Sequence, residues 1–182
     1  TEVIRDQLPL IWSQLNIKSL LDVPCGDFNW MQHVDLSSIT YIGGDIVTEL
    51  IKHNQRSYSN PECRFVRMDL LTDQLPKVDC ILCRDCLVHL STRHTKLALM
   101  NLIKSNSTYL ITTTYPNQTS NVDIVTGQWR PINLQVAPFC FPEPLILLKE
   151  HSTEPGEKSD KSLGIWRLDS LPMVNSDYHH KT

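Results

Sequence analysis

The chain has 182 residues, of which 41% are hydrophobic and 20% are charged, and its formal net charge is −3. This composition fits one soluble globular domain over residues 1–182, and the weak negative charge argues against a basic surface for nucleic acid. No apolar stretch approaches the roughly 20 residues of a membrane-spanning helix. We therefore expect a cytoplasmic protein with neither a nucleic acid nor a membrane partner.

The N-terminal part predicts a helix and then a strand. Residues 2–15 carry apolar side chains at helical spacing, which predicts an amphipathic helix that packs on a sheet despite Pro9. A short apolar run follows, ends at Asp22 and breaks into a tight turn over residues 24–26. This pattern predicts the first strand of a parallel sheet and its ligand-binding loop.

A second apolar run, residues 40–46, also closes on an acid, Asp45. In a βαβ unit the loop after the first strand approaches the ligand, and an acid at the end of the second strand accepts hydrogen bonds from ribose hydroxyls. The repeat therefore predicts a ligand that contains a ribose. Only Gly26 is present where a dinucleotide-binding loop has three glycines, which disfavours a diphosphate.

The next elements continue the alternation of helix and strand. The pattern predicts a short helix at 28–31, a helix at about 47–56, strands at 64–68, 78–84 and 108–114, and a helix that begins at Ser91 or Thr92 and ends at 105–107. Five strands that alternate with helices predict a parallel sheet covered on both faces.

The pattern changes after the fifth strand. Residues 115–144 contain five of the eleven prolines together with several aromatic residues, which predicts a folded cover over an active site. Two strand candidates, 145–149 and 163–168, follow, separated by the polar connector 150–162. Because this connector is too polar for a packed crossover helix, we predict an antiparallel pair and a mobile loop.

The run Cys80-x-x-Cys83-x-x-Cys86 suggests a metal or an iron–sulfur cluster. On a strand, however, Cys80 and Cys83 point to opposite faces, and no glycine or proline opens a loop between them. We therefore predict buried, reduced thiols and no metal site.

Together these motifs resemble those of the class I S-adenosylmethionine-dependent methyltransferases, whose first motif is an acid followed by G-x-G-x-G. Asp22 and Gly26 match this motif, whereas Pro24 and Phe28 replace the outer glycines. The resemblance extends to the ribose-binding acid, to an acid beside the adenine and to the fourth strand. It implies an α/β, Rossmann-like open sheet of five parallel strands with a closing antiparallel hairpin and helices on both faces.

The resemblance also implies S-adenosylmethionine as the cofactor. Because the carboxyl ends of parallel strands line one cleft, the candidate cofactor-binding residues lie at the ends of the first four strands. They are Asp22, Pro24, Cys25, Gly26, Asp45, Ile46, Asp69, Leu70 and Arg84. Each acid also has a structural interpretation, since a carboxylate at a strand end can cap the helix that follows.

Methyl transfer from a sulfonium to oxygen or nitrogen is one in-line displacement, so the protein positions the reactants and removes a proton from a hydroxyl acceptor. The candidate catalytic residues are Asp85, His89 and Tyr115, and the candidate substrate contacts are Trp129 and Arg130. We expect His89 to have an adjacent carboxylate as its orienting partner; alternatively, it is a buried structural residue. The expected acceptor is a small polar molecule, such as a sugar or metabolite, that is methylated at a hydroxyl.

Two other functions remain open. The loss of the outer glycines is compatible with a non-catalytic, methyltransferase-like binding or scaffold domain. A nicotinamide-dependent oxidoreductase is the weakest alternative, because the G-x-G-x-x-G motif is missing. The sequence gives no indication of the oligomeric state.

Overall fold

A mixed sheet of seven strands, in the order β3-β2-β1-β4-β5-β7-β6, forms the centre of the computed structural model, which describes residues 2–150 and 160–172. The strands are β1 (Ser19–Asp22), β2 (Thr40–Asp45), β3 (Cys63–Arg67), β4 (Cys80–Cys83), β5 (Tyr109–Thr114), β6 (Ile146–Lys149) and β7 (Ser162–Arg167). The helices are α1 (Glu2–Gln14), α2 (Thr48–Tyr58) and α3 (Thr92–Lys104).

The pairing of the strands confirms the predicted topology. Strands β1 to β5 are parallel, and β7 runs antiparallel to both β5 and β6. The chain leaves β1 first towards β2 and later returns to β4 on the other side, so the strand order reverses between β1 and β4. In open α/β sheets such a reversal opens a crevice at the carboxyl ends of the strands, where ligands bind.

Alternate residues of the central strands enter two hydrophobic cores, one on each face of the sheet. In β4, Cys80 and Leu82 pack with α1 and α2, whereas Ile81 and Cys83 pack with α3. Cys80 and Cys83 therefore face opposite ways, as predicted, and both are fully buried free thiols. The helix prediction for α1 is confirmed, with Pro9 inside it.

Two of the predicted elements differ in the structure. The chain after β1 forms a 3₁₀ turn at Met31–His33 in place of a helix at 28–31, because Phe28 has a left-handed backbone conformation with φ of 60°. Strand β4 is shorter than the predicted 78–84. At its start the backbone N–H of Val78 donates to the Ser107 hydroxyl, and beyond its end Asp85 has φ of 54°.

The segment 115–144 is folded without regular secondary structure, as predicted. In this segment asparagine side chains make hydrogen bonds to the backbone in place of those between strands. Asn121 Nδ2 donates to the carbonyls of Asn133 and Ala137 at 2.8 and 2.9 Å. In return, the Asn133 N–H donates to Asn121 Oδ1 at 2.9 Å. The predicted mobility of the connector 150–162 concerns mostly residues 151–159, which lie outside the described residues. No described helix is long and apolar enough to cross a bilayer.

We expect the Gly164→Ala substitution to destabilise the protein. A Cβ atom at Gly164 would overlap the ring of Trp166, which is 1% exposed and packs edge-on against Phe141 at 5.3 Å. Overpacking of this kind costs about 1–3 kcal/mol, which urea unfolding measures. Combining it with Trp166→Leu tests the cause, because the smaller side chain makes room for the methyl group. Additive costs in the double variant would contradict the proposed overlap.

Candidate functional site

The loop after β1 is fixed against the carboxyl end of β2. The N–H of Cys25 donates to the Gly44 carbonyl at 2.8 Å, and the N–H of Gly26 donates to Asp45 Oδ2 at 3.0 Å. Gly26 has φ of 57°, a conformation that glycine adopts without the steric cost of a Cβ atom. From α2, Asn54 Nδ2 donates to the Gly26 carbonyl at 2.8 Å. Both backbone polar groups of Gly26 are therefore held within the chain.

The carboxylate of Asp45 is the centre of this arrangement. It is 5% exposed, and its Oδ1 accepts the N–H of Val47 at 2.9 Å at the start of α2. Asp45 therefore has a structural role, because its carboxylate caps the turn into α2 and holds the loop after β1. Each carboxylate oxygen has a second lone pair, so these bonds leave acceptor capacity for a ligand hydroxyl. Its predicted contact with a ribose remains a prediction.

Asp22 lies beneath the same loop and is 2% exposed. Burial raises the pKa of its carboxyl group to about 7, although the Tyr41 hydroxyl, which donates to Oδ2 at 2.8 Å, and the charge of Arg84 lower it. The nearby Asp45 carboxylate raises the pKa further. The protonation state of Asp22, which ends β1 just before the loop, therefore changes near neutral pH.

Arg84 lies just beyond β4 and is paired within the chain. Its Nε and Nη2 donate to the two carboxylate oxygens of Glu150 at 3.2 and 2.8 Å, and its guanidinium lies 4.9 Å from the centre of the Trp30 ring. The two charged side chains are only 15% and 5% exposed. Arg84 therefore joins the ends of β4 and β6, and its predicted contact with the cofactor stays a prediction.

The carboxylate of Asp85 is partly accessible, with 38% of its side chain exposed. Its N–H donates to the Thr113 hydroxyl at 2.8 Å, and that hydroxyl donates back to Asp85 Oδ1 at 3.3 Å. Lys161 Nζ lies 2.7 Å from Oδ2 and 3.3 Å from Glu150 Oε2. Asp85 is thus oriented by the Thr113 hydroxyl and the Lys161 ammonium group, and the Arg84 guanidinium lies 3.6 Å from its Oδ2.

The structure contradicts the structural alternative for His89, and its predicted catalytic role remains a prediction. The side chain is exposed, so His89 is not a buried structural residue. Its Nδ1 lies 3.0 Å from the carbonyl oxygen of Gln128, whereas the Asp85 carboxylate is bound by Thr113 and Lys161. The partner that orients His89 is therefore a backbone carbonyl from the irregular segment 115–144 and not a neighbouring carboxylate.

Tyr115 and Arg130 occupy the core instead of the cleft. Tyr115 is 2% exposed, and the half-buried Trp129 packs edge-on against it at 6.0 Å. Arg130 is 4% exposed, and its Nη1 donates to the carbonyls of Leu90 and Leu87 at 2.7 and 3.3 Å. Burial lowers the pKa of Arg130. Its role in this structure is to hold the loop before α3, which corrects the predicted contact with a substrate.

The residues predicted around an adenine divide into buried and exposed groups. Asp69 Oδ1 accepts the N–H of Leu71 at 2.9 Å, so this acid stabilises a local turn; the described residues between β3 and β4 contain no helix for it to cap. Leu70 is 7% exposed and packs in the core, which corrects its predicted position on a ring face. Ile46 and Val47, which follow Asp45, are apolar side chains that are 54% and 47% exposed.

Sequence reasoning missed several residues that build the site: Tyr41, Asn54, Thr113, Glu150 and Lys161. The sequence does contain an indication for Asn54, because it follows the buried Ile51 by three residues and so lies on the apolar face of α2.

Cys25 is 4% exposed, and burial raises the pKa of its thiol. Pro24 is half-buried in the loop. Among residues 2–150 and 160–172, no cluster of three or more potential ligand side chains is arranged to hold a metal ion.

Solved structures with the same architecture define the class of this fold. No protein-family model matches the sequence, and no curated protein matches it significantly. An S-adenosylmethionine-dependent methyltransferase from Clostridium acetobutylicum superposes with a TM-score of 0.63 over 90% of both chains, at 13% identity. The fold is therefore that of the class I S-adenosylmethionine-dependent methyltransferases.

Two further similar structures are larger proteins. Human N-acetylserotonin methyltransferase, in complex with S-adenosylmethionine, has a TM-score of 0.60 at 12% identity, covering 90% of this chain and 54% of its own. The amino pentose methyltransferase CalS10 from Micromonospora echinaspora has a TM-score of 0.50 at 16% identity, covering 59% of this chain and 49% of its own. The chain thus spans about half the length of these two enzymes.

We expect Asp22→Asn to change how stability depends on pH. The pKa of Asp22 is about 7 in the folded protein, above the ordinary value of 3.8, so its contribution to stability is complete below about pH 4 and is lost as the pH rises to about 7. The free energy of unfolding of the asparagine variant, relative to that of the parent, should therefore be higher at about pH 8 than at about pH 4 by roughly 2–4 kcal/mol. Urea unfolding at the two pH values measures this change. The exposed Asp27→Asn serves as the matched control. A stability difference that is the same at both pH values would contradict the raised pKa.

Proposed function

We propose that this protein is an S-adenosylmethionine-dependent methyltransferase that acts on a small polar acceptor. The observation that carries this proposal is the arrangement of Gly26, Asp45 and Ile46 near the point where the strand order reverses, which we call the cradle. There the Gly26 N–H is bound to the Asp45 carboxylate, and Ile46 is exposed beside it. An acid at the end of a second parallel strand is placed to accept ribose hydroxyls. The similar human and Micromonospora enzymes were both solved with S-adenosylmethionine bound, which supports the same cofactor here.

The residues of the cradle fit such a cofactor. Asp45 retains acceptor lone pairs towards a ribose, and Ile46 offers an apolar surface to an adenine ring. We assign Asp22, Pro24, Cys25 and Gly26 to the methionine part and Asp69 to the adenine amine. When bound, the cofactor supplies an activated methyl group on a sulfonium. The protein then contributes the position and orientation of the acceptor.

We assign the contact with the acceptor proton to Asp85. Its carboxylate is oriented by Thr113 and Lys161 and is partly exposed just beyond the end of β4, beside the cradle. A hydroxyl acceptor would donate its hydrogen bond to Asp85, which receives the proton as the oxygen takes the methyl group. His89 is the second candidate, because its imidazole is exposed on the loop between β4 and α3.

The acceptor class is a small polar molecule such as a sugar or another metabolite. The neighbouring charges of Asp85 and Lys161 favour a hydroxylated or amino-bearing molecule over an apolar one. CalS10 is an amino pentose methyltransferase, and this similarity makes sugars and amino sugars the first acceptors to screen.

A non-catalytic binding module remains the second candidate function. Both backbone polar groups of Gly26 are engaged within the chain, by Asp45 and Asn54, so the loop offers a ligand fewer free groups than an open glycine loop would. Titration calorimetry with S-adenosylmethionine, S-adenosylhomocysteine and NAD separates the candidates. Binding of the first two without NAD supports the proposal, and binding of NAD alone favours an oxidoreductase. Cofactor binding without turnover of any screened acceptor favours the binding module.

We expect Asp45→Ala to weaken the binding of S-adenosylhomocysteine. A hydrogen bond to a charged group contributes roughly 1.5–3 kcal/mol, so the Kd should rise about tenfold to more than a hundredfold. Because Asp45 also holds Gly26 and Val47, Asp45→Asn, which keeps one acceptor oxygen, should lose less. Calorimetry on variants with native circular dichroism gives the measurement, with Asp27→Ala as the control. Unchanged affinity in a folded Asp45→Ala variant would refute the assignment.

We expect Asp85→Asn to reduce the rate of methyl transfer by roughly 10²–10⁴ and to leave the affinity for S-adenosylhomocysteine unchanged. A rate assay with the acceptor found in the screen measures the effect. Asp169→Asn, beyond the opposite end of β7, is the matched control. If His89→Ala has the large effect and Asp85→Asn does not, the imidazole is the base.

A further inference from the structure

Two cysteines, Cys83 and Cys86, lie in a C-x-x-C spacing at the end of β4. On a continuing strand their side chains would point to opposite faces of the sheet. The strand ends at Cys83, however, and Asp85, with φ of 54°, turns the chain. Cys86 therefore packs against the same hydrophobic core that contains Cys83. Both residues are free thiols in this structure.

The two thiols are in contact and differ in accessibility. Cys83 is 0% exposed, and a hydrogen bond with the Cys86 thiol, together with burial, raises the pKa of the Cys83 thiol. Cys86 is only half-buried, so a small oxidant can reach it from solvent. An accessible thiol next to a second, resolving thiol is the arrangement in which reversible oxidation of cysteine occurs.

We propose that Cys83 and Cys86 form a reversible disulfide when the protein meets hydrogen peroxide. The Cys86 sulfur attacks one peroxide oxygen, the O–O bond breaks, and Cys86 becomes a sulfenic acid as one water is released. The Cys83 sulfur then attacks the Cys86 sulfur, the S–O bond breaks, and the hydroxyl group leaves as a second water with the Cys83 proton. The thiols are thus oxidised and the peroxide is reduced to water. A dithiol such as dithiothreitol reverses the step by exchange.

The disulfide encloses Arg84 and Asp85 and therefore changes their positions. An S–S bond is about 2.05 Å long, much shorter than a contact between two separate thiols. Cys83 is held in the sheet by the pairing of β4 with β5, so the movement falls on residues 84–86. Asp85 then leaves the place that its bonds to Thr113 define. This consequence for catalysis rests on the proposed function, whereas the disulfide itself does not.

Peptide mapping of the folded protein after treatment with hydrogen peroxide tests the pair. Trypsin cleaves after Arg84, so without reductant the disulfide joins peptides 78–84 and 85–93. We expect the joined peptides in the oxidised protein and their separation by dithiothreitol. Fragmentation should locate the bond at Cys83 and not at Cys80, which lies in the same peptide and faces the other core. Cys86→Ser, at a half-buried position, should abolish the joined peptides.

The exposed Cys140 reports that the oxidant has acted, and Cys140→Ser is the matched control that should keep the joined peptides. Oxidation of Cys140 without joined peptides, or a bond located at Cys80, excludes the proposed pair.

The consequence for catalysis is measured in the acceptor assay after the peroxide has been removed. The rate of methyl transfer should fall about 10²-fold in the oxidised parent, recover with dithiothreitol and stay unchanged in Cys86→Ser, because a small misplacement of a catalytic group has an effect of this size. An unchanged rate in fully disulfide-bonded protein refutes this consequence. If no acceptor is methylated, the proposed function fails while the peptide map still decides the disulfide.

Discussion

The arrangement of the site depends on the hydrogen bonds that the Asp45 carboxylate accepts. It accepts the N–H of Gly26 from the loop after β1 and the N–H of Val47 at the start of α2. One buried acid therefore connects the end of β2 to that loop and to α2. Charge-assisted hydrogen bonds to backbone N–H groups are among the stronger ones in proteins, and burial removes the competing water. The loop lacks the outer glycines of the methyltransferase motif, and its conformation is imposed instead by this acid and by Asn54.

A second group of charges organises the opposite side of the cleft. Arg84 and Lys161 alternate with Glu150 and Asp85 across the ends of β4, β6 and β7. Glu150 is almost fully buried, and a buried carboxylate is tolerated because two cations neutralise it and the Arg84 pair is bidentate. Two cations and two carboxylates give this cluster no net formal charge.

The sequence predicted the sheet because its strands are short apolar runs with acids at their ends, and such local patterns determine parallel α/β order. It also predicted that Cys80 and Cys83 are buried on opposite faces of β4, whereas Cys86 of the same run is only half-buried. It could not predict which polar side chains are buried, because that depends on contacts between distant segments. Arg130 and Tyr115 are polar residues in an irregular segment, yet they enter the core, where Arg130 finds backbone carbonyls around residue 90. Glu150 and Lys161 flank a polar connector, and nothing local indicates that they pair with Arg84 and Asp85.

The position of β7 has a consequence for how the chain is made. Residues 162–167 insert between β5 and β6, and their Trp166 fills the core beneath the irregular segment through contacts with Phe141 and the Pro142 carbonyl. During synthesis from the N-terminus, the five parallel strands emerge well before this tryptophan leaves the ribosome. The edge of β5 in the nascent sheet therefore stays unpaired until residues 162–167 have been synthesised, and it is exposed to other chains in that interval. A nascent chain that stalls before residue 166 presents this edge and the unfilled core to chaperones.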